Sequence, residues 1–324
     1  MADIRTRLPR YRDLPCVPGH PPKTAWGLFG PNDNIGMFNL QTPEAIVAAA
    51  RLVRKGAVFA MNWEQDKPNP TLFSRGRVRH TIFRESPVGH HGDDCLDNFF
   101  PQSSSQWDGL THVGDFEHGF WGGVKNADLR GDKTRLGIDH WARRGIAGRA
   151  VLFDVARWRA AQGRPLDYDA TDRITVEDLE GIRQSQGLEL QPGDVWILHM
   201  GWIAWYETLP LMKRRQLAMT PMLKTPGIEC SEAMAEWIFD RHPVAICADN
   251  PALEAWPPPD FMAPDGFLHH WILGRFGMAI GEMFQTTHLA EDCAADGVYE
   301  GLFTSAPLNI PGGTGSPPNA LFIK

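Results

Sequence analysis

The sequence predicts an α/β fold: one domain in which long loops separate short helices and strands. Apolar runs that are typical of buried strands are mixed with amphipathic segments that have the period of a helix. The strands do not alternate regularly with helices of about 10–15 residues, so neither a barrel nor a doubly wound nucleotide-binding sheet is predicted. Because we find no internal repeat and no break in composition, residues 1–324 are predicted to form one domain.

The N-terminal region, residues 1–43, is rich in turn-forming residues and predicts an arm of loops packed on the body. The first helix follows it. Thr42 is a suitable cap, Pro43 fits the first turn, and Lys55–Gly56 ends the apolar stripe.

Short strands are predicted next at Ala57–Asn62 and Arg79–Phe83, within a stretch from 63 to 145 that is otherwise rich in loops and histidines. Loops on a rigid scaffold often carry functional residues, so the site is expected there. The elements predicted further along are strands at Gly148–Val155, Val195–Met200 and His242–Cys247, helices at Thr175–Gln186 and Ser231–Asp240, a short helix turning into a strand over Trp271–Phe284, and a final short strand.

Composition excludes several classes of function. The 39 acidic residues outnumber the 32 basic ones and give a net charge of −7, so no nucleic-acid partner is expected. No apolar run reaches the roughly 20 residues of a membrane span, so no membrane partner is expected either. Five scattered cysteines without a CxxC pair, and no readable secretory signal, predict a cytoplasmic protein. Glycine-rich nucleotide motifs and a GxSxG elbow are also absent from the sequence.

The densest group of polar residues lies in the segment Gln106–His118. Asp108 and His112 are four residues apart, and His118 follows six residues later. In a strand that leads into a loop bracketed by glycines, these side chains can converge and offer oxygen and imidazole ligands together with a free base. The alternative is a chance cluster on a surface loop in a chain with 12 histidines.

A second group lies far along the chain, where Glu282 follows His270 by twelve residues and His269 precedes them. A turn that joins the two strand ends would make His270 and Glu282 a ligand pair. Imidazole and carboxylate without thiolate favour zinc or manganese. The alternative is a capped pair of surface histidines and a solvated glutamate.

Other residues have weaker assignments. Trp107, Trp121 and Trp202 could line an aromatic substrate pocket, or could simply pack in the core or at an interface. Asp249–Asn250 and Glu254 follow a predicted strand and could approach the site from a loop.

The spacing of the two groups resembles that of the putative cyclase family, which includes bacterial kynurenine formamidase and isatin hydrolase. Its signature is His-x-Gly-Thr-His-x-Asp-x-Pro-x-His. The matching positions here are Asp108 for the first histidine, Thr111–His112 for the central pair, Gly114 for the aspartate, His118 for the last histidine, and His270 with Glu282 for a downstream pair. The resemblance extends over nearly the whole chain, including Trp26–Gly30, Gly148–Asp154 and Gly281–Phe284.

The resemblance implies a swivelling β/β/α fold that is usually oligomeric, so a homodimer or homotetramer is expected. It also implies one divalent metal, Mn²⁺ or Zn²⁺, that activates water to hydrolyse a formamide, cyclic amide or lactone bond in a small substrate, as in an arylformamidase. The roles carried over are metal ligation by Asp108, His112, His270 and Glu282 and proton transfer by His118. Gln106 and the three tryptophans are candidates for substrate contact that the resemblance does not itself supply.

Two positions depart from the family pattern. Asp108 places an anion where the family has a histidine, and Gly114 removes a carboxylate ligand; Gln106 or Asp115 could fill that vacancy. The sequence therefore leaves two alternatives beside a hydrolase. One is a cyclase or isomerase that uses the same metal, and the other is a non-catalytic protein that binds a small molecule.

Overall fold

The structure is a computed structural model that describes residues 4–84, 88–130 and 135–324. Within these ranges the chain forms thirteen strands and eight α-helices. The strands are β1 (Val58–Ala60), β2 (Arg79–Phe83), β3 (Asp93–Asp97), β4 (Gln106–Asp108), β5 (Ile146–Asp154), β6 (Arg173–Ile174), β7 (Val195–His199), β8 (Gly227–Ile228), β9 (Ala245–Ala248), β10 (Ala279–Glu282), β11 (Glu300–Ser305), β12 (Gly315–Ser316) and β13 (Ala320–Ile323). The helices are α1 (Pro43–Ala50), α2 (Ile138–Arg144), α3 (Val155–Ala161), α4 (Val176–Ser185), α5 (Trp202–Thr208), α6 (Leu211–Ala218), α7 (Glu232–Phe239) and α8 (Thr287–Asp296).

Nine strands form one mixed sheet in the order β1–β13–β11–β5–β7–β9–β10–β4–β12. The four central strands, β5, β7, β9 and β10, are parallel, and the strands on either side pair antiparallel. The predicted α/β class is therefore confirmed, including the lack of a regular alternation of strands and helices. Strand β5 was predicted at Gly148–Val155, and its last five residues are fully buried, as its apolar run indicated.

Capping residues fix the predicted helices. The Thr42 hydroxyl accepts a hydrogen bond from the Ala45 N–H at the start of α1, although the helix ends at Ala50, earlier than expected. Thr175 and Asp178 form the predicted capping box of α4. The Ser231 hydroxyl caps α7 in the same way.

Most predicted strands are present with shifted ends. The prediction at Arg79–Phe83 matches β2, and Ala57–Asn62 shortens to β1. Strand β9 begins only at Ala245, because His242 has a φ of 49° and its ring is hydrogen-bonded to the Pro9 carbonyl. The backbone there follows a turn and joins the sheet three residues later.

A π-helix, His270–Arg275, precedes β10. Gly277 makes the connecting turn with a φ of 66°, and a Cβ there would lie 2.8 Å from the Trp121 ring. Strand β4 pairs antiparallel with β10 and sets Gln106 opposite Glu282. This register brings Asp108, from the first group predicted from the sequence, close to Glu282, from the second.

The N-terminal region packs on the body through specific contacts. Tyr11 is buried; its N–H donates to Asp240 Oδ1 and its hydroxyl donates to Glu232 Oε1, both beside α7. Residues 1–3 of the predicted arm lie outside the described ranges. In the part of the chain that is described, no helix has both the length and the apolar character needed to cross a bilayer.

Candidate metal centre

Three side chains from separate parts of the chain converge beneath the surface. Asp108 ends β4, Glu282 ends β10, and His269 directly precedes the π-helix. Each is at most 3% exposed, and their potential ligand atoms all lie within 4.8 Å of one another. We call these three residues the metal centre. Two carboxylates and one imidazole form a donor set that suits Mn²⁺ or Zn²⁺.

A carboxylate holds the His269 ring on the side that faces away from Asp108 and Glu282. Its Nε2 lies 3.3 Å from Glu282 Oε1 and 3.8 Å from Asp108 Oδ2, while Nδ1 donates to Glu254 Oε1 at 2.7 Å. Glu254 in turn accepts the backbone N–H of Leu268 at 2.9 Å. A carboxylate behind a histidine fixes its tautomer and orientation, which is the usual arrangement behind a metal-binding imidazole.

The side-chain amide of Gln106 bridges the carboxylates of Asp108 and Glu282. Gln106 Nε2 donates to Asp108 Oδ1 at 3.0 Å and to Glu282 Oε2 at 2.8 Å. Its own oxygen accepts from Arg75 Nη1 at 2.8 Å, and Gln102 Nε2 also donates to Asp108 Oδ1. Gln106 therefore contributes to the centre by positioning Asp108 and Glu282.

The charges of the centre are not balanced. Burial, and then the neighbouring charge of Asp108, raise the pKa of Glu282 to about 7. Burial acts to lower the pKa of His269, but hydrogen bonds and charges from Glu254 and Glu282 outweigh it and raise that pKa to about 10. Asp108 Oδ2 is buried and has no hydrogen-bond partner among the described residues. A divalent cation would satisfy this oxygen, so the residues present fit a bound metal.

His112, which the sequence predicts as a metal ligand, lies at the border of the metal centre. Its Nε2 lies 3.6 Å from Asp108 Oδ1, and about a quarter of its side chain is exposed. Burial lowers the pKa of His112, which favours the neutral ring. The structure therefore brings together Asp108, His112 and Glu282, as the sequence predicted, with Gln106 between the carboxylates.

The adjacent histidine, and not the predicted one, faces these carboxylates. His270 Nδ1 is hydrogen-bonded to the Pro264 carbonyl at 3.3 Å, and its ring packs against Phe267 and Phe116. Successive side chains in a helical turn point about 100° apart, so only one of two neighbours can face the centre. The spacing of twelve residues before Glu282 predicted His270 as the ligand. The backbone instead directs the His269 ring toward Asp108 and Glu282.

The other predicted residues of the Gln106–His118 segment form a second group. Asp115 Oδ1 lies 2.7 Å from His118 Nδ1, and Oδ2 accepts from Arg275 Nε at 2.8 Å. Burial acts to raise the pKa of Asp115, but Arg275 and His118 outweigh it, and the pKa is lowered. We call Asp115, His118 and Arg275 the ion-pair cluster. His118 thus contacts one carboxylate oxygen of Asp115, and Arg275 donates to the other.

The backbone explains why position 114 carries no carboxylate. A Cβ at Gly114 would lie 2.7 Å from the carbonyl carbon of Gly119, so any side chain would require the chain to move. Of the two residues proposed to fill this vacancy, Gln106 lies in the metal centre and Asp115 lies in the ion-pair cluster.

The three tryptophans proposed as pocket walls are at most 2% exposed. The indole of Trp107 donates to Ser305, that of Trp121 donates to Asp33, and Trp202 stacks on Tyr206. All three therefore pack in the interior, which is the alternative that the sequence left open.

Glu254, which the sequence grouped with Asp249–Asn250 as residues that could approach the site, contacts His269. It reaches His269 from the loop after β9, as the loop hypothesis allowed. Asp249 instead accepts the Met200 N–H at 2.7 Å. A separate surface cleft of about 460 Å³ contains Arg149 but no residue of the metal centre, and Arg149 there is paired with Asp194 and Glu300.

Comparisons with known proteins agree with this architecture. The family model described as "Putative cyclase" matches residues 44–255. A crystal structure described as a novel cyclase is 31% identical, with 93% of this chain and 97% of that chain covered and a TM-score of 0.80. This likeness confirms the predicted cyclase-like fold.

More distant solved structures share the fold. Isatin hydrolase A from Labrenzia aggregata, bound to benzyl benzoate, is 16% identical, with 86% of this chain and 95% of that chain covered and a TM-score of 0.55. Isatin hydrolase A from Ralstonia solanacearum is 17% identical, with 87% and 98% covered and a TM-score of 0.54. A comparison with curated proteins finds no match.

Proposed function

The chain belongs to the putative cyclase family, and from this premise we propose that it is a metal-dependent hydrolase. Its substrate would be a small molecule with a formamide, cyclic amide or lactone bond. The observation that carries the proposal is the buried metal centre of Asp108, His269 and Glu282, in which one carboxylate oxygen has no hydrogen-bond partner within the part of the chain that the structure describes. The fold shared with isatin hydrolases supports this class of reaction.

Asp108, His269 and Glu282 would hold the cation, Mn²⁺ or Zn²⁺, and Glu254 would keep the His269 ring in position. When bound, the cation supplies a Lewis acid that polarises a carbonyl and lowers the pKa of water. Gln106 keeps the two carboxylates apart and oriented through its amide. The three side chains that would hold the cation match the number of protein ligands in catalytic sites, whereas structural zinc sites have four.

We assign proton transfer to His112. It borders Asp108, it is partly exposed, and its lowered pKa favours the neutral ring that can accept a proton. His112 would take the proton from the attacking water and deliver it to the leaving nitrogen or oxygen. His118, the residue favoured by the family pattern, already has Asp115 as its partner, so we propose that it orients the loop.

The test is a metal measurement combined with a substrate panel. Protein purified without chelator is expected to contain one equivalent of a divalent metal and to hydrolyse N-formylkynurenine, isatin or a member of a lactone series. His112→Ala should abolish turnover without removing the metal, and His118→Ala is the matched control. A protein with no metal and no turnover, unchanged by His112→Ala, would overturn the proposal. Product analysis separates hydrolysis from cyclisation or isomerisation.

A second candidate, a non-catalytic protein that binds small molecules, is favoured by one observation. Gly114 carries no carboxylate at the position where the family signature has an aspartate, and its backbone leaves no room for one. This alternative predicts that the same compounds raise the melting temperature of the protein without being converted.

A further inference from the structure

Arg75 is an arginine beside the metal centre that forms no ion pair with any described carboxylate. It lies in the loop between β1 and β2 and is half-buried. Its Nη1 donates to the backbone carbonyl of Gln102 and, at 2.8 Å, to the side-chain oxygen of Gln106, and both of these acceptors are neutral. The Gln106 amide also donates to Glu282 at 2.8 Å. One side chain therefore separates the guanidinium from a carboxylate of the metal centre.

The free edge of the Arg75 guanidinium has the shape that a carboxylate matches. Nε and Nη2 have no hydrogen-bond partner among the described residues, and neither atom is buried from solvent. Two N–H groups on one edge of a guanidinium bind both oxygens of a carboxylate, and this pairing is stronger than a hydrogen bond between neutral groups. We infer that Arg75 binds a carboxylate of the substrate, which would be an amide or lactone that also carries an acid group.

The backbone fixes the position of Arg75. Its N–H donates to the Leu72 carbonyl at 3.1 Å, and its own carbonyl accepts the Thr71 hydroxyl at 2.5 Å. Leu72 is buried and anchors the turn in the core. Phe73 and Ser74 have φ values of 53° and 58°, a conformation that residues other than glycine adopt at an energetic cost and that is common at functional sites. The turn therefore holds Arg75 beside the metal centre before a ligand binds.

A line of aromatic rings connects Arg75 with His269. The guanidinium lies 5.5 Å from the centroid of the Phe73 ring, and at the other end Phe267 stacks on His269 at 4.3 Å with an angle of 8° between the rings. Neighbouring rings in this line are 4.8–5.0 Å apart, in the order Phe73, Trp256, Phe261 and Phe267. An acid with an apolar body would match both the rings and the cation.

The charge of Arg75 acts on the residues of the proposed reaction. Burial is the largest cause of the lowered pKa of His112, and the charge of Arg75 acts in the same direction. Burial raises the pKa of Glu282, and the charge of Arg75 opposes that rise. Coulombic effects fall with distance, so the guanidinium is close to both groups. The inference names the substrate class of this site and therefore rests on the proposed function.

The first test is calorimetric titration of protein purified without chelator, with aniline and with 2-, 3- and 4-aminobenzoate as probes. The wild type should bind the best of the acids about 10–100-fold more tightly than aniline, because charge-assisted hydrogen bonds form. Arg75→Gln should lose this preference. Arg75→Lys should keep part of it, because lysine retains the charge but not the fork of donors. Arg77→Gln, at an exposed arginine two residues further on, is the matched control and should keep the full preference.

The ratio of acid affinity to neutral affinity separates recognition from a structural role. Loss of the Arg75 contact with Gln106 would weaken the acids and aniline alike, whereas loss of recognition weakens the acids alone. Equal affinities in the wild type, no saturable binding of any acid, or an unchanged preference in Arg75→Gln would overturn the inference.

The second test is turnover of formanilide and of its 2-, 3- and 4-carboxylates. The best of the acids should have a kcat/KM about 10–100-fold above that of formanilide in the wild type and in Arg77→Gln, and the advantage should disappear in Arg75→Gln. Turnover without an advantage for any acid would overturn this inference and leave the hydrolase in place. Preferential binding of an acid without turnover of any compound would overturn the hydrolase and leave the carboxylate site in place.

Discussion

The metal centre and the ion-pair cluster both grow from the segment Gln106–His118, and they differ in whether their charges are balanced. In the metal centre, Asp108 and Glu282 share one imidazole, and Asp108 Oδ2 lies 3.8 Å from it with no hydrogen-bond partner among the described residues. In the ion-pair cluster, both oxygens of Asp115 are used, one by His118 and one by Arg275. A buried carboxylate oxygen without a hydrogen bond is costly, so the first group is suited to a cation, whereas the charges of the second are already paired.

Residue type and spacing alone do not separate a candidate metal ligand from a structural carboxylate. Asp108 and Asp115 lie seven residues apart in one segment, and both are buried. The decisive partner of Asp115 is Arg275, which is 160 positions away and reaches it through the π-helix. What remains unsatisfied after all internal contacts is the better indicator of function.

The largest effect on stability is expected in the ion-pair cluster. Arg275→Met should lower the free energy of unfolding by about 3–5 kcal/mol, because it leaves the carboxylate of Asp115 buried without its cationic partner. Urea denaturation measures this value. The double variant Arg275→Met/Asp115→Asn should recover part of the loss, and a loss below about 1 kcal/mol for the single variant would contradict a charge-balanced cluster.

In the metal centre, removal of one charge should weaken metal binding without lowering the stability of the metal-free protein. Asp108→Asn is expected to lower the affinity for Mn²⁺ or Zn²⁺ by more than about 100-fold, the upper range for an outer partner of a metal ligand. Stability of the metal-free protein should not fall, because the change removes a repulsive neighbour of Glu282. Competition with a coloured chelator measures the affinity, and Asp115→Asn is the matched control that should bind as the wild type does.

A smaller loss of metal affinity is expected when Glu254, the residue that holds the His269 ring, is changed. Glu254→Gln should weaken metal binding by about 10–100-fold, because the His269 ring loses its charged hydrogen-bond acceptor. Glu236→Gln, at an exposed position on α7, should leave the affinity unchanged. Equal affinities for the two variants would argue against a role for Glu254 in orienting the ring.

The smallest effect is a pH dependence of the ion-pair cluster. The pKa of Asp115 lies below the ordinary value of 3.8, so its ionised form stabilises the folded state. That contribution is complete above pH 3.8 and is lost as the pH falls through the lowered pKa. The free energy of unfolding should therefore drop more steeply below pH 3.8 in the wild type than in Asp115→Asn. Parallel curves for the two proteins would show that Asp115 is not held by its partners.

Local signals in the sequence predicted much of the fold. The capping box of α4, the apolar run of β5 and the strand Arg79–Phe83 depend on residues next to one another. Helices α5 and α6 were not predicted, because neither begins at a side-chain cap that the sequence could show, in contrast to α1 and α7.

The candidate site was predicted only where local position determines it. Asp108 and Glu282 end strands, and the antiparallel register of β4 and β10 brings them together. The choice between His269 and His270 depends on the direction of one backbone turn, which spacing does not specify. The contact of Glu254 with His269 depends on the path of a proline-rich loop.

Calorimetric titration of chelator-treated protein with Mn²⁺ and Zn²⁺ shows which of the two neighbouring histidines binds the metal. His269 faces Asp108 and Glu282, whereas His270 is hydrogen-bonded to Pro264. We expect one equivalent of metal to bind the wild type and His270→Ala, and none to bind His269→Ala. Metal binding that survives His269→Ala and disappears in His270→Ala would show that His270, and not His269, holds the metal.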